Sequence, residues 1–499
     1  MSDTGSRKLP FSWIWIAATA ALCLIFIFVS VPGVLAQGRD GGDSSSGAQG
    51  NRRYTSIIQN VFDFIQRHYV EEVDPQVIFE GAMNGMFNAL NDPYSSFLPE
   101  SEMSDLNDTT QGSFGGVGLY ISKPTGERSD GKPHYVEVAS PIEDTPGWRA
   151  GINPGDLIIE INGESTDKLT MDEVLARLRG TPGVEVYLVI RRGEKLEFPV
   201  TLVRAVIEVP TAKYAMIGDI GYLKLLTFTP YTADRARDAI ADFRSKNYRS
   251  VILDLRNNYG GLLNSAVDVS SLFLDGGVVV STKSRIPSEN HVFNARRQAM
   301  IPADIPVIVL INRGSASASE IVAGALKDRG RAYLVGENTY GKGSVQQVYP
   351  LNNVGFKITT ARYYTPSDVN IDKLGIPPDR EVKFPEFTDA DVEHLNRLIN
   401  DNKIPSFVAD NPQASAARID AFARTLEQDY KIDISLLKRL IRNEQNRTQI
   451  APVYDLEYDV QLQEAVNILR GGSFPSLMES SKTLRALQEE AAETLPLAS

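Results

Sequence analysis

Serines alternate with alanines in Ser315-Ala316-Ser317-Ala318-Ser319, followed by Glu320, and further along a lone lysine, Lys342, stands between Gly341 and Gly343. The serine run follows an apolar stretch, Val307 to Ile311, and leads into a helical pattern through Ala325 and Leu326. A strand-turn-helix of this kind puts a small side chain at a helix N-terminus. Free N–H groups and the helix dipole there favour developing negative charge. Ser317-x-x-Glu320 also has the spacing of a capping box, which explains the serine without any chemistry. The lysine tips the balance. Flanking glycines permit a tight backbone path that carries its side chain into a pocket, and burial lowers an amine's pKa until the neutral form serves as a base. Gln346 shares strand parity with Lys342, so it faces the same side and is placed to hydrogen-bond the amine. A neutral lysine within reach of a serine hydroxyl is an activated nucleophile.

Other chemistries find less support. The four histidines, His68, His134, His291 and His394, neighbour no serine or carboxylate motif, so a Ser-His-Asp triad has no evident base. No metal-ligand spacing occurs, and neither a metal nor a cofactor is expected. Cys23 is the single cysteine and lies in the N-terminal apolar run, which leaves no disulfide, thiol nucleophile or cysteine metal site. A net charge of -12 argues against nucleic acid as a partner.

The elements that must position these residues can be sketched along the chain. Residues 1–36 carry Arg7 and Lys8, an apolar run from Phe11, and Val34-Leu35-Ala36 before Gln37. This suits a secretory signal peptide and equally an uncleaved membrane anchor. Residues 37–51, rich in Gly, Ser and Asp, read as a flexible linker. Apolar residues at helical spacing, Ile57, Ile58, Val61, Phe62 and Ile65, make 52–110 a helical segment. Residues 111–205 change to short strands with Gly-rich turns, and 206–387 alternate apolar strands with amphipathic helices, an α/β pattern. Residues 388–499 are helical and polar. Within the β-rich part, Phe114-Gly115-Gly116-Val117-Gly118-Leu119 runs into an apolar strand. Its glycines let successive N–H groups face one concavity suited to a carboxylate, beside an edge able to pair with an extended peptide. Ala150-Gly151-Ile152-Asn153-Pro154-Gly155-Asp156 follows. Together these stretches resemble a PDZ domain, with Gly115, Gly116, Val117, Gly118 and Leu119 as the peptide-binding residues and 171–178 as the helix lining the groove.

The Ser-Ala-Ser-Ala-Ser-Glu run, Gly-Lys-Gly and Gln346 resemble the C-terminal processing, or tail-specific, peptidases. Tyr94 to Leu98 and Tyr363 to Asp379 add to the likeness, which departs at Asp368, where relatives usually carry glycine. The resemblance implies a mixed α+β and α/β multidomain protein with a crotonase-like protease core. In it Ser317 is the nucleophile, Lys342 the general base and Gln346 the residue that orients the lysine. It places the oxyanion hole at the Ala318 amide and at Gly260 or Gly261 of Asp254-Leu255-Arg256-Asn257-Asn258-Tyr259-Gly260-Gly261, and gives Arg179 a regulatory place between the PDZ groove and the active site. The expectation is a serine endopeptidase of the periplasm or cell envelope that takes unfolded proteins by apolar C-terminal tails and is either secreted or anchored to the inner membrane by its N-terminal segment, with terminal helices as a route to homo-oligomers. Two readings compete: a catalytically silent or gated PDZ scaffold at the membrane, and a crotonase-like acyl-CoA enzyme, which the export signal and PDZ module disfavour.

Overall fold

Parallel strands bury both faces, so a chain that alternates apolar strands with helices must find cover for two sides of one sheet. The computed structural model describes residues 45–123, 133–193, 195–383, 388–446 and 452–494. The apolar run within 1–36 lies outside them, and among the described residues no helix is long and apolar enough to cross a membrane. The described chain forms two compact units that divide after Ala82. In the first, a helix spans Ser45–His68. It thus begins inside the stretch read as a linker. Those small residues lack proline, and helix propagates cheaply from the strongly periodic segment behind them.

The division falls within the helix Pro75–Asn88, and the second unit continues with the short strand β1 (Ser96–Leu98) and a helix, Glu100–Gln111. The β-rich module follows with β2 (Ser113–Gly116), β3 (Leu119–Ser122), β4 (Val136–Pro141), β5 (Leu157–Ile161), β6 (Glu164–Ser165), β7 (Glu185–Arg192), β8 (Leu196–Val203) and β9 (Ala205–Glu208). Strands β3-β4-β5-β7-β8 form one antiparallel sheet, β6 pairs β5, and β2 pairs β9 as a separate ribbon. In β7 Val186, Leu188 and Ile190 point inward, a period of two that fills the module's core with Val136, Val138, Ile158 and Ile161. Val174 and Leu178 close that core from the helix Met171–Leu178, which starts at a Thr170/Glu173 capping box. Arg204, itself buried, donates to the Arg177 and Leu178 carbonyls at the helix's other end.

The remaining strands are β10 (Ala212–Ile217), β11 (Ile220–Leu225), β12 (Ser250–Asp254), β13 (Val278–Lys283), β14 (His291–Asn294), β15 (Val307–Ile311), β16 (Tyr333–Gly336), β17 (Ser344–Leu351), β18 (Val354–Tyr364) and β19 (Arg380–Glu381). The main sheet runs β10-β11-β12-β15-β16-β19, parallel after the first pair. Every residue of β12 and β15 is buried. Helices Thr232–Ser245, Leu263–Ser270 and Ala318–Asp328 cover one face. The other face, with Tyr222, Ile252, Ile308 and Leu310, is covered by Leu462, Ala465, Val466 and Ile468 of the helix Val460–Arg470. The C-terminal region therefore supplies a layer of the sheet domain. Before it, helices Asp389–Asn400, Lys403–Asp410, Ala416–Tyr430 and Ile434–Asn446 pack around a core of their own. A second sheet, β1-β18-β13-β14 with β17 on β18, brings Tyr94 to Leu98 beside the strands that follow Lys342.

Candidate active site

Of the three serines in the run, Ser315 and Ser319 are fully buried and spoken for. Ser315 Oγ donates to the Leu255 carbonyl at 2.8 Å, and Ser319 Oγ to the Asn258 carbonyl at 2.7 Å. Both bonds fasten the run to the loop 254–261. Ser317 differs: it is part-exposed, and its hydroxyl has no partner among the described residues. It sits at the N-cap of the helix Ala318–Asp328 with φ of 54° and ψ of -112°, a conformation a side-chain-bearing residue adopts only under constraint. Ser317 and Glu320 have the arrangement of a capping box, yet the hydroxyl makes no cap hydrogen bond. Glu320 returns to the Ser317 N–H, but the Glu320 N–H donates to the Ser317 carbonyl rather than to the hydroxyl. Helix capping therefore does not engage Ser317 Oγ.

Glu320 is fully buried and gathers four donors. Its Oε2 accepts from the backbone N–H of Ser317 at 2.8 Å and of Lys342 at 2.9 Å, and its Oε1 from Thr339 Oγ1 at 2.5 Å and the Gly341 N–H at 2.7 Å. One carboxylate oxygen thus joins the main chains that carry the serine and the lysine. Tyr363 does the same from β18, donating to the Lys342 carbonyl and lying 3.3 Å from that of Ser317. Burial pushes the Glu320 carboxyl up, and its hydrogen bonds oppose that shift. Sequence spacing showed Glu320 only as a cap, because its partners at 339–342 are brought near by the fold.

The Lys342 amine lies over the Tyr94 ring, 4.9 Å from its centroid, and makes no ion pair among the described residues. Its pKa is held below the ordinary lysine value, first by burial and then by the charge of Lys357, while Glu320 and Asp92 pull the other way. Gln346 is near, yet it does not hydrogen-bond the amine as its parity suggests. Its Nε2 donates to Ser344 Oγ at 2.9 Å and Thr359 Oγ1 at 3.1 Å, and Thr359 Oγ1 donates to Asp92 Oδ2 at 2.6 Å. The ladder shifts register between Val345 and Gln346, so simple strand parity with Lys342 does not hold there.

Gly260 and Gly261, with φ of 106° and 140°, lie in the left-handed region open to glycine. A Cβ at Gly260 would stand 2.8 Å from Ser317 Cβ and 2.9 Å from the Ala318 nitrogen, so this glycine keeps space open in front of that amide. The Gly260 N–H donates to Asn258 Oδ1 at 2.9 Å, whereas the Gly261 and Ala318 N–H groups have no acceptor among the described residues.

In the β-rich module the Gly115 carbonyl accepts from the Gly180 N–H, and Gly116, Val117 and Gly118 lead into β3, whose other edge is unpaired in the sheet. Gly118, at φ of 74°, has no room for a side chain against Thr145. Leu119 packs into the module's core. Arg179 caps the helix Met171–Leu178 and holds its guanidinium 5.0 Å from the Phe114 ring centroid. A large cleft of about 2400 Å³ lies elsewhere, between this module, β10–β11 and residues 452–459. Neither Ser317 nor Lys342 lines it.

Residues 219–382 match the model for peptidase family S41, 137–192 that for the PDZ domain, and 36–101 that for the activating protease CtpB N-terminal domain. The chain is 39% identical over 348 residues to the carboxy-terminal-processing protease of Bartonella bacilliformis, covering 68% of this chain and 78% of that one. It is 38% identical over 322 residues to the chloroplastic carboxyl-terminal-processing peptidase 2 of Arabidopsis thaliana, covering 62% of each. A solved structure titled photosystem II D1 C-terminal processing protease aligns at 29% identity over 66% of this chain and 92% of its own, with a TM-score of 0.39. A PDZ-bearing serine peptidase is the class these matches define. The chain belongs to the carboxy-terminal-processing proteases of peptidase family S41.

Proposed function

We propose that the protein cleaves polypeptides through an acyl-enzyme formed on Ser317, with the neutral Lys342 amine as general base. Ser317 Oγ attacks the scissile carbonyl as its proton passes to Lys342 Nζ, and the ammonium then protonates the departing amine. Water, deprotonated by the same amine, hydrolyses the ester and restores both groups. The tetrahedral oxyanion is received by the Ala318 and Gly261 N–H groups, with Gly260 leaving room between them. Gln346 acts through Ser344 and the Thr359–Asp92 pair, fixing the strands beside the lysine. The single observation that carries this reading is that Ser317 alone of its run keeps an uncommitted hydroxyl, on a backbone that shares one Glu320 oxygen with that of Lys342.

The free edge of β3 behind Gly115 to Leu119 supports capture of an apolar C-terminal tail as an added strand. The apolar, basic-flanked N-terminus supports action outside the cytoplasm, with or without an anchor. A gated form has an observation in its favour: the Lys342 amine rests on Tyr94, and no hydrogen bond joins it to Ser317. The deciding assay follows an unfolded protein with an apolar C-terminus, beside the same protein ending in charged residues. Wild type should cut the first faster, and Ser317→Ala and Lys342→Ala, still folded, should be inactive. A Ser317→Ala variant that cuts at wild-type rate overturns the mechanism. An inert wild type that still binds the tail favours the gated scaffold.

A further inference from the structure

The loop that carries Gly260 and Gly261 is held from two sides, and one of them lies far along the chain. Arg256, within that loop, is 6% exposed and uses its whole guanidinium. Nε and Nη2 donate to Asp254 at 2.9 and 2.7 Å, Nη1 and Nη2 donate to the two oxygens of Asp459 at 2.7 Å each, and Nη1 also reaches Gln461 Oε1 at 3.1 Å. Asp254 belongs to β12 and is itself held by Tyr222 Oη at 2.6 Å. Asp459 and Gln461 come from the C-terminal segment. Asp459 also caps the helix Val460–Arg470 through the Leu462 N–H, and Gln461 donates to the Val382 carbonyl. From Arg256 the chain passes to Asn257 and Asn258, which bond Asn312 and receive Ser319 and the Ala316 N–H, and then to the two glycines. Asp459 therefore ends a continuous set of polar contacts that begins at the serine turn.

A bidentate carboxylate fixes a guanidinium in plane as well as in place, which a single hydrogen bond or a point charge does not. Burial opposes the charge on Arg256, and the Asp254 and Asp459 carboxylates hold it protonated, so the contact does not fade across the pH range of a lysine-based peptidase. Asp459 is 19% exposed at the wall of the large cleft, so the tie is reachable from solvent on one side only.

We propose that Asp459 is a positioning residue for the oxyanion loop: its two-oxygen grip on Arg256 sets where the Gly260–Gly261 amides stand relative to Ser317 and Ala318. The inference rests on the acyl-enzyme reading above. It gives the C-terminal segment a part in transition-state binding in addition to covering the sheet.

The test uses the full-length chain carrying Asp459→Asn, which keeps the helix cap and the side-chain shape but loses the ionic grip. Cleavage kinetics, inhibition by a peptide boronic acid that forms a tetrahedral adduct on serine, and thermal unfolding are measured together. A displacement on the order of 1 Å costs about a hundredfold in rate, so kcat should fall at least ~10-fold with KM within about twofold of wild type, and boronate affinity should fall in parallel. An unchanged kcat overturns the inference. So does a lower kcat with boronate affinity intact, or a loss explained wholly by a smaller folded fraction. If Asp459→Asn is unfolded at the assay temperature, Asp459→Glu, which keeps the charge but moves the carboxylate by one carbon, decides: kcat and boronate affinity should fall together a few-fold, and unchanged values overturn the proposal. Ser317→Ala in the same assay separates the two layers. Activity there removes the acyl-enzyme reading, whereas an inactive Ser317→Ala beside an unimpaired Asp459→Asn removes only the role of Asp459.

Discussion

At the residue scale, the proposed chemistry depends on how much of Lys342 is neutral. The first cause of its lowered pKa is burial and the second is the like charge of Lys357. Rate should therefore rise with pH through an ionisation below the ordinary lysine value. Lys357→Gln removes a charge that disfavours protonated Lys342, so the amine's pKa rises, its neutral fraction near pH 7 falls, and the kcat profile moves to higher pH with its plateau kept. A profile unmoved by Lys357→Gln counts against Lys342 as base. Glu320→Gln tests the clamp. An amide replaces one carboxylate oxygen with a donor facing N–H groups, so a buried donor pair goes unmet at about 1–3 kcal/mol each. A melting temperature lowered by several degrees and a kcat reduced ~10-fold or more should appear together in thermal unfolding and steady-state kinetics. Residue types at the site were legible in the sequence because glycine-flanked lysines and small residues at helix starts stand out locally. The Glu320 clamp, the Tyr363 bridge and the true partners of Gln346 were not, since each joins positions that only the fold brings together.

At the scale of elements, the turn from β15 into the helix Ala318–Asp328 and the loop after β12 face each other, and a glycine separates them. Gly260→Ala adds one carbon 2.9 Å from the Ala318 nitrogen, the distance at which an oxyanion would accept from that amide. It also forces a side chain into φ of 106°, a strain of about 1–3 kcal/mol. Loss of one oxyanion donor costs ~10²–10³ in rate, so Gly260→Ala should lose at least that in kcat while retaining tail binding, as measured by peptide titration. A Gly260→Ala enzyme within tenfold of wild type would move the oxyanion hole elsewhere. Apolar runs revealed β12 and β15 well because each is buried on both sides, and the run Val307–Ile311 has the same bounds as β15. The linker's helical end was hidden by its small polar residues, which carry no periodicity of their own.

At the scale of the whole molecule, the least legible feature was what covers the sheet's second face. Polarity made 388–499 read as an extension, yet that region contains two different things. Residues 389–446 fill a core of their own around Leu398, Ile419, Leu426, Leu437 and Ile441. The helix Val460–Arg470 instead buries Leu462, Ala465, Val466 and Ile468 against Ile220, Tyr222, Ile252, Ile308 and Leu310. Its aliphatic residues Leu462, Val466, Ile468 and Leu469 are interspersed with Gln461, Gln463, Glu464 and Asn467, so the stripe does not stand out as a core layer. Fully burying one such side chain is worth about 1.5–3 kcal/mol, and the sheet residues lose their cover as well. Against a total stability of roughly 5–15 kcal/mol, that loss is decisive. A chain ending at residue 388 should therefore be insoluble or lack a cooperative unfolding transition. A chain in which 389–446 alone is replaced by a flexible linker should keep that transition and fold its sheet domain. Circular dichroism melting and solution scattering of the two deletions distinguish the roles. A truncated chain that melts cooperatively at the wild-type temperature would show the sheet to be self-sufficient, and with it the Arg256–Asp459 tie to be dispensable for folding.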